Sequence, residues 1–285
     1  MRRSVLGGVL AVTASLGLAA CGGVGGPPGG GPPPSTGGPG ELLVGAGTIM
    51  QLEGEPAQIC LGAVLTSYPP QCAGPELVGF EGWDGIEHES ASGRTWGNAW
   101  VVGTYDGTSF TLTEPVSVEP PTGWEPSTDE PSEFPQLCDD PAAGAGGSLA
   151  GTDLISQQSD LMMFLEAHDG YVLSYVSGGG DVMNVLVSGD AASARVDFRE
   201  IYAGPLCVQT SELPTWAEIR AAQDALTAEG EDLGVLSSGS GVSGLLDIHL
   251  VVADSAHVSA VAEIVAPWLR PDEIAVTGAL APLVG

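Results

Sequence analysis

The chain of 285 residues contains no lysine, and its seven basic residues stand against 36 aspartate and glutamate residues. The formal net charge at neutral pH is −29. A surface of this charge repels nucleic acid and anionic lipid headgroups, so neither is expected as a partner of the folded part. Calcium or another cation is one reading of the acidity. The other is the plain soluble surface of a protein from a high-salt or high-GC organism.

The common catalytic motifs are also missing. The sequence has no G-x-S-x-G elbow, no H-E-x-x-H and no phosphate-binding P-loop. Gly239, Gly241 and Gly244 spell G-x-G-x-x-G, but the residues that follow, LLDIHLVVA, have the pattern of a strand. A dinucleotide site needs a helix at that point, so we predict a hairpin loop. No cofactor, no metal site and no enzymatic activity are expected.

Long apolar runs are absent beyond the first 20 residues, but the N-terminus has one of signal-peptide length. Arg2 and Arg3 precede an apolar stretch over 5–18, which is short for a membrane span. The stretch ends in Leu18-Ala19-Ala20-Cys21, which resembles the bacterial lipobox. The resemblance implies a signal peptide over 1–20, cleavage before Cys21 and a lipid anchor on that cysteine. Ordinary secretion with an incidental Cys21 is the alternative.

Removal of Arg2 and Arg3 leaves five basic and 36 acidic residues, a net charge of −31. Residues 21–40 are mostly glycine and proline, which predicts a tether between the anchor and the folded part. The expected location is the extracytoplasmic face of the cell membrane.

Four cysteines follow the anchor: Cys60, Cys72, Cys138 and Cys207. An even number of cysteines in an exported chain indicates disulfides, and four cysteines allow three connectivities. The short separation within CLGAVLTSYPPQC favours Cys60–Cys72, which leaves Cys138–Cys207. Zinc is the alternative, but the sequence has no C-x-x-C and its cysteine spacings suit no common finger.

Residues 41–114 have the pattern of short strands between glycine, proline and aspartate turns. Five strand-like runs predict a small β-barrel of OB or SH3 type. Asp106-Gly107 predicts a two-residue hairpin turn in which Tyr105 lies opposite Thr108, with Phe110 shielding Gly103. Trp83, Trp96 and Trp100 form a possible binding surface for a peptide or sugar, although tryptophan in a small β-domain also serves as core.

Residues 115–150 are rich in proline, serine, glutamate and glycine, and predict a connector held at Cys138. Residues 151–285 predict a domain of two tandem αββαβ units, with helices over 153–168, 191–203, 214–229 and 255–266. Asp190 and Asp254 stand where helix N-caps are needed. The fold class predicted for the whole chain is therefore α+β.

Two resemblances accompany this pattern. The tandem αββαβ order resembles paired BON domains, lipid- or protein-binding modules of envelope lipoproteins, and more loosely the lobes of secreted protease pro-regions. The segments CLGAVLTSYPPQC, TWGNAWVVGTYDGTSFTLTE and GPLCV resemble a family of actinobacterial lipoproteins that brings no assigned activity.

We therefore expect a non-catalytic envelope lipoprotein that binds an envelope protein, peptide or glycan, or that has a structural role at the cell surface. An enzyme of unfamiliar type, or a protease-associated inhibitor, is the alternative class.

Overall fold

The computed structural model describes residues 40–122, 124, 134–144 and 153–283. These residues form a mixed α+β fold that consists mostly of strands and, within those ranges, has four α-helices. The predicted α+β class is confirmed.

In the described part of the chain before residue 153 there are six strands: β1 (Leu43–Leu52), β2 (Ala57–Cys60), β3 (Glu76–Val78), β4 (Glu89–Ala91), β5 (Arg94–Tyr105) and β6 (Ser109–Leu112). Five of them follow the order β1-β2-β3-β6-β5 and close into a small barrel, because β5 pairs back with β1 along the whole length of β1. The predicted small barrel is confirmed. Strand β4 lies outside this ring at the edge of the described sheet and pairs with the start of β5.

The barrel interior contains one residue in two from each long strand, as a pleated strand requires. Ile49, Ile59, Val101 and Phe110 are completely buried in this core. Burying side chains of this size contributes about 1.5–3 kcal/mol each, so the barrel is stabilised mainly by these aliphatic and aromatic residues.

The predicted register of the β5–β6 hairpin is wrong by two residues, because Tyr105 lies opposite Phe110 rather than Thr108. The Asp106 carboxylate accepts the backbone N–H groups of Thr108 (2.9 Å) and Ser109 (2.7 Å), which holds a longer turn than the two-residue type. A shift of two residues keeps each side chain on its face. Phe110 accordingly still shields Gly103, where an added Cβ would lie 2.7 Å from the ring.

Two α/β segments follow the barrel. The first α/β segment, residues 153–210, contains α1 (Leu154–Glu166), β7 (Tyr171–Ser177), β8 (Val182–Val187), α2 (Ala191–Arg199) and β9 (Leu206–Thr210). The second α/β segment, residues 215–282, contains α3 (Trp216–Glu229), β10 (Val235–Ser240), β11 (Leu246–Val252), α4 (Ser255–Val265) and β12 (Ile274–Pro282).

The strands of the two segments pair in the same way. In each, the first two strands are antiparallel and the second and third are parallel. Asp190 and Asp254 cap α2 and α4 and accept backbone N–H groups of the first helical turn, as predicted. Gly241 and Gly244 of the glycine motif lie in the turn between β10 and β11, and Gly239 lies in the paired end of β10, so the predicted hairpin loop is confirmed.

In both segments the helices cover one face of the sheet. Met183, Val185 and Val187 of β8 form a core with α1 and α2. Leu246, Ile248 and Leu250 of β11 do the same with α3 and α4. The opposite face of each sheet is therefore free to meet another part of the chain.

Strand β12 joins the second α/β segment to the barrel. Its end pairs with the start of β1, where Leu43 lies opposite Pro282 and Val44 opposite Ala281. Next to this pairing, a Cβ added at Gly45 would lie 2.7 Å from Leu280 and 2.9 Å from the Ala279 carbonyl, which explains the glycine. Leu280 and Val251 also belong to the barrel core, so the two regions share buried apolar surface.

Candidate binding surfaces

Two disulfides have the connectivity that the spacing predicts. Cys60 is bonded to Cys72 and Cys138 to Cys207, with Cα–Cα distances of 5.9 and 5.5 Å. The thiolates that a zinc site would need are therefore used in disulfide bonds. The remaining predicted cysteine, Cys21, lies outside the described residues.

The loop closed by Cys60–Cys72 folds over the outside of the barrel. The exposed ring of Tyr68 meets the Trp96 ring edge to face at a centroid distance of 5.4 Å. The Arg94 guanidinium donates to the Pro70 carbonyl at 3.4 Å. These contacts fix the loop beside one of the three tryptophans of the predicted binding surface.

The structure places Trp96 and Trp100 on one face and Trp83 elsewhere. Trp96 and Trp100 alternate along β5 with the buried Ala99 and Val101, so both point to the outside of the barrel and are half-buried there. Trp83 packs against the barrel core instead and donates its ring N–H to Gln51 at 3.1 Å.

Beside Trp100 lies an open groove of about 370 Å³ on the outside of the barrel. Its polar groups include Thr48 and Asn98, which are hydrogen-bonded to each other at 2.8 Å. Its aromatic wall is Trp100, whose ring also contacts Trp124. The groove is shallow and mixes apolar with neutral polar groups, so it offers a contact surface without a reactive group.

The four histidines take part in local contacts. The ring Nδ1 of His88 lies 2.8 Å from the Ile86 carbonyl, and that of His168 accepts the Gly170 N–H at 3.1 Å. His257 lies 2.8 Å from Asp254, the residue that caps its own helix. Across the described residues, no three His, Cys, Asp or Glu side chains form a group that could hold a metal ion.

In the first α/β segment, the face of the sheet opposite the helices is covered by the connector. Tyr175, Asn184 and Cys207 lie side by side on β7, β8 and β9 in the strand register. Tyr175 donates its hydroxyl to the Pro135 carbonyl at 2.8 Å, and Asn184 accepts the Leu137 N–H at 2.9 Å. Cys207 is bonded to Cys138. Residues 135–138 therefore cross the three strands in order, one contact on each strand.

Asn184 is the central residue of this contact and is completely buried. Its amide group donates to the Ser177 hydroxyl at 2.8 Å and to the Val182 carbonyl at 3.1 Å, while its oxygen accepts from the connector. Each polar atom of the side chain is thus paired, which a buried amide requires.

Two arginines of α2 hold the continuation of the connector. Arg195 and Arg199 donate to backbone carbonyls of residues 140, 141 and 143, at distances of 2.8–3.2 Å. Burial, and then the charge of the neighbouring Arg195, lowers the pKa of Arg199. The positive charges therefore face carbonyl oxygens at this site, where they fix a loop.

The corresponding face of the second sheet is open beyond the part that the barrel covers. Asp247 and its neighbours Ser237 and Thr277 are exposed, and His249 is half-buried with its Nδ1 3.0 Å from the Thr277 hydroxyl. Although the residue is exposed as a whole, its carboxylate is partly shielded from water, which raises the pKa of Asp247, and the hydrogen bond from the Gly241 N–H offsets this effect in part. Burial lowers the pKa of His249. Asp247 and the polar row Ser237, His249 and Thr277 therefore lie on a part of the sheet that the connector does not cover in the described residues.

Sequence reasoning did not single out Asn184 or Asp247. Each interrupts an apolar strand, in VMNVLV and in LLDIHLVV, and this interruption is the signal that was available. A polar residue at the centre of an apolar strand faces either a partner or solvent, and only the structure distinguishes these two cases.

No protein-family model, no curated protein and no solved structure matches this chain at a significant level. In the described parts of the chain, no helix combines the length and the apolar character that a membrane span requires. A function must therefore be argued from the residues and surfaces themselves.

Proposed function

We propose that this protein is a cell-envelope lipoprotein, anchored through Cys21 at the extracytoplasmic face of the membrane, whose folded part binds a partner without catalysing a reaction. The observation that carries the anchor is the order of features in the sequence. Arg2 and Arg3, an apolar run, Leu18-Ala19-Ala20 and Cys21 follow one another as export and lipidation require. Two disulfide-bonded pairs fit an oxidising compartment.

We further infer that the two α/β segments are tandem copies of one αββαβ unit. Their common order of elements, their common strand pairing and the aspartate caps of α2 and α4 support this inference. In each copy one face of the sheet is packed by helices. The connector covers the other face in the first copy, and in the second copy that face is left for binding.

Binding rather than catalysis is supported by the use of the polar groups. The shared features of the two segments are strand cores and helix caps, whereas a catalytic set is asymmetric and converges on one point. The four histidine rings contact one carbonyl, one backbone amide, one helix-capping aspartate and one hydroxyl. These contacts favour a surface that binds a partner over a catalytic site.

The anchor is tested by metabolic labelling with a fatty acid in cells that express the full chain. Wild type should incorporate label and sediment with membranes. Cys21→Ala should lose both properties, while the tether variant Ser35→Ala should keep them. Unchanged labelling of Cys21→Ala would show that the protein is not lipidated at this residue.

Binding is tested by crosslinking in intact cells, followed by purification of the full chain. A partner that wild type recovers and a surface variant loses supports the proposal. Conversion of a small molecule that is abolished by His249→Ala would contradict it and favour an enzyme.

A further inference from the structure

We propose that the open face of the second sheet, centred on Asp247, binds an extended basic peptide of a partner protein, in the way that the first sheet binds the connector. This inference rests on the proposed binding function and names its partner class. The first α/β segment supplies the geometry of such a complex, since residues 135–138 already lie across its sheet.

The strand register shows which residues of the second sheet take the positions of those that contact the connector in the first. Met183, Val185 and Val187 on β8 face the helices as Leu246, Ile248 and Leu250 do on β11. Asn184, between the first two, therefore takes the place that Asp247 has between Leu246 and Ile248. The row Tyr175, Asn184 and Cys207 corresponds to the row Gly239, Asp247 and Ala275.

The second row has room for a peptide backbone. Asp247 is flanked across the strands by Gly239 and Ala275, whose side chains are no larger than a methyl group. The next row supplies the polar groups of Ser237, His249 and Thr277. An extended chain can therefore lie close to the sheet, with hydrogen-bonding groups beside it.

The charge at the central position selects a basic ligand. Asn184 is neutral and binds a backbone N–H, whereas Asp247 is a carboxylate at the same place. In the ion pairs of the described residues, the cation is always Arg270 or His257, so Asp247 has no cationic partner there. A peptide that brings arginine or lysine to this row would form a charge-assisted hydrogen bond with it.

The connector itself provides the probe. A synthetic peptide copies residues 134–143 with Cys138→Ser, Asp139→Arg and Asp140→Arg, and a companion peptide keeps both aspartates. Their affinities are measured by fluorescence anisotropy, at physiological salt, against the full-length lipidated protein in detergent micelles. We expect the arginine peptide to bind and the companion to bind at least about tenfold more weakly, since one charged hydrogen bond is worth this much.

Asp247→Asn should weaken binding of the arginine peptide about tenfold and bring it close to the companion. The matched control is Asp224→Asn, which removes the same charge from the exposed side of α3, across the sheet from Asp247. It should change affinity less than about twofold, because exposed charges at that distance are screened. A photoreactive residue in place of the peptide phenylalanine should crosslink to β10, β11 or β12.

Three outcomes would overturn the proposal: no binding of either peptide, an equal loss with Asp247→Asn and Asp224→Asn, or crosslinks confined to the barrel. Each leaves fatty-acid labelling at Cys21 and crosslinking of a partner in cells unaffected. Failure of this inference is therefore distinguishable from failure of the proposed function.

Discussion

The two sheets of the α/β segments have the same strand order, but they differ in what covers the face opposite their helices. The first has a buried amide, Asn184, under a connector that a disulfide holds in place. The second has an exposed carboxylate, Asp247, and no described residue of the connector on it. The same backbone arrangement thus serves once as a closed structural contact and once as an open surface. The difference lies in few side chains.

The strongest way to break this comparison is to release the connector from the first sheet. Replacing Cys138 and Cys207 together by serine should lower the free energy of unfolding by about 4 kcal/mol, because the closed loop spans 69 residues. Denaturant unfolding without reductant measures the loss. Limited proteolysis should then cut the connector, while the variant with Cys60 and Cys72 replaced by serine should lose about 3 kcal/mol and keep the connector intact.

Replacing the central residue of each sheet by alanine tests whether the two faces differ. Asn184→Ala should cost about 2–3 kcal/mol, since it leaves the Leu137 N–H without its acceptor in a buried site. Asp247→Ala should change stability by less than about 0.5 kcal/mol, because its side chain is exposed. Equal losses in urea denaturation would mean that both faces are structural.

Arginine variants of α2 and α3 measure how much the contacts with the connector contribute to stability. Arg199→Met should cost about 1–2 kcal/mol, because charged hydrogen bonds to the Pro141 and Ala143 carbonyls are lost. Arg220→Met is the control and should cost about 0.5 kcal/mol, since Arg220 only lies over the Trp216 ring at 5.8 Å. Thermal unfolding of the two variants side by side gives the answer.

The smallest effect concerns the acidity of Asp247. Its pKa is raised in the folded state, so the folded protein binds more protons than the unfolded chain at pH values just above the ordinary aspartate pKa. Stability therefore falls as pH rises through this window, and the ionised carboxylate is slightly destabilising at neutral pH. Asp247→Asn should raise the free energy of unfolding by less than about 0.5 kcal/mol at pH 7. The gain should shrink as pH falls below the ordinary aspartate pKa, where the carboxyl becomes protonated in both states, and a gain independent of pH would contradict this explanation.

The sequence predicted several parts of this fold because their causes are local. The hairpin prediction placed Phe110 over Gly103, and Asp190 and Asp254 were found as caps from their position before a helix. The register of the β5–β6 hairpin was missed, because the Asp106 side chain competes for the turn amides in a way that the Asp-Gly pair alone does not reveal. Spacing alone favoured Cys60–Cys72.

The candidate surfaces were predicted less well. Trp83, Trp96 and Trp100 are close in sequence, yet Trp83 packs on the barrel core while the other two lie outside. Whether an aromatic residue is buried depends on which strand end or loop closes over it. The residues next to a tryptophan in the sequence therefore do not predict whether its ring is buried.

Periodicity, caps and cysteine spacing by themselves determined most of the secondary structure, the small barrel and the disulfide pairs, since each depends on residues near one another or on few alternatives; strand β4 was not predicted. Only the tertiary structure decided which sheet face is covered. Leu137 meets Asn184 and Arg199 meets Pro141 across 47 and 58 residues of chain, and β12, the last described strand, pairs with β1, the first. Such contacts form when the packed elements bring distant segments together, and for that reason Asp247 was left open while Asn184 was buried.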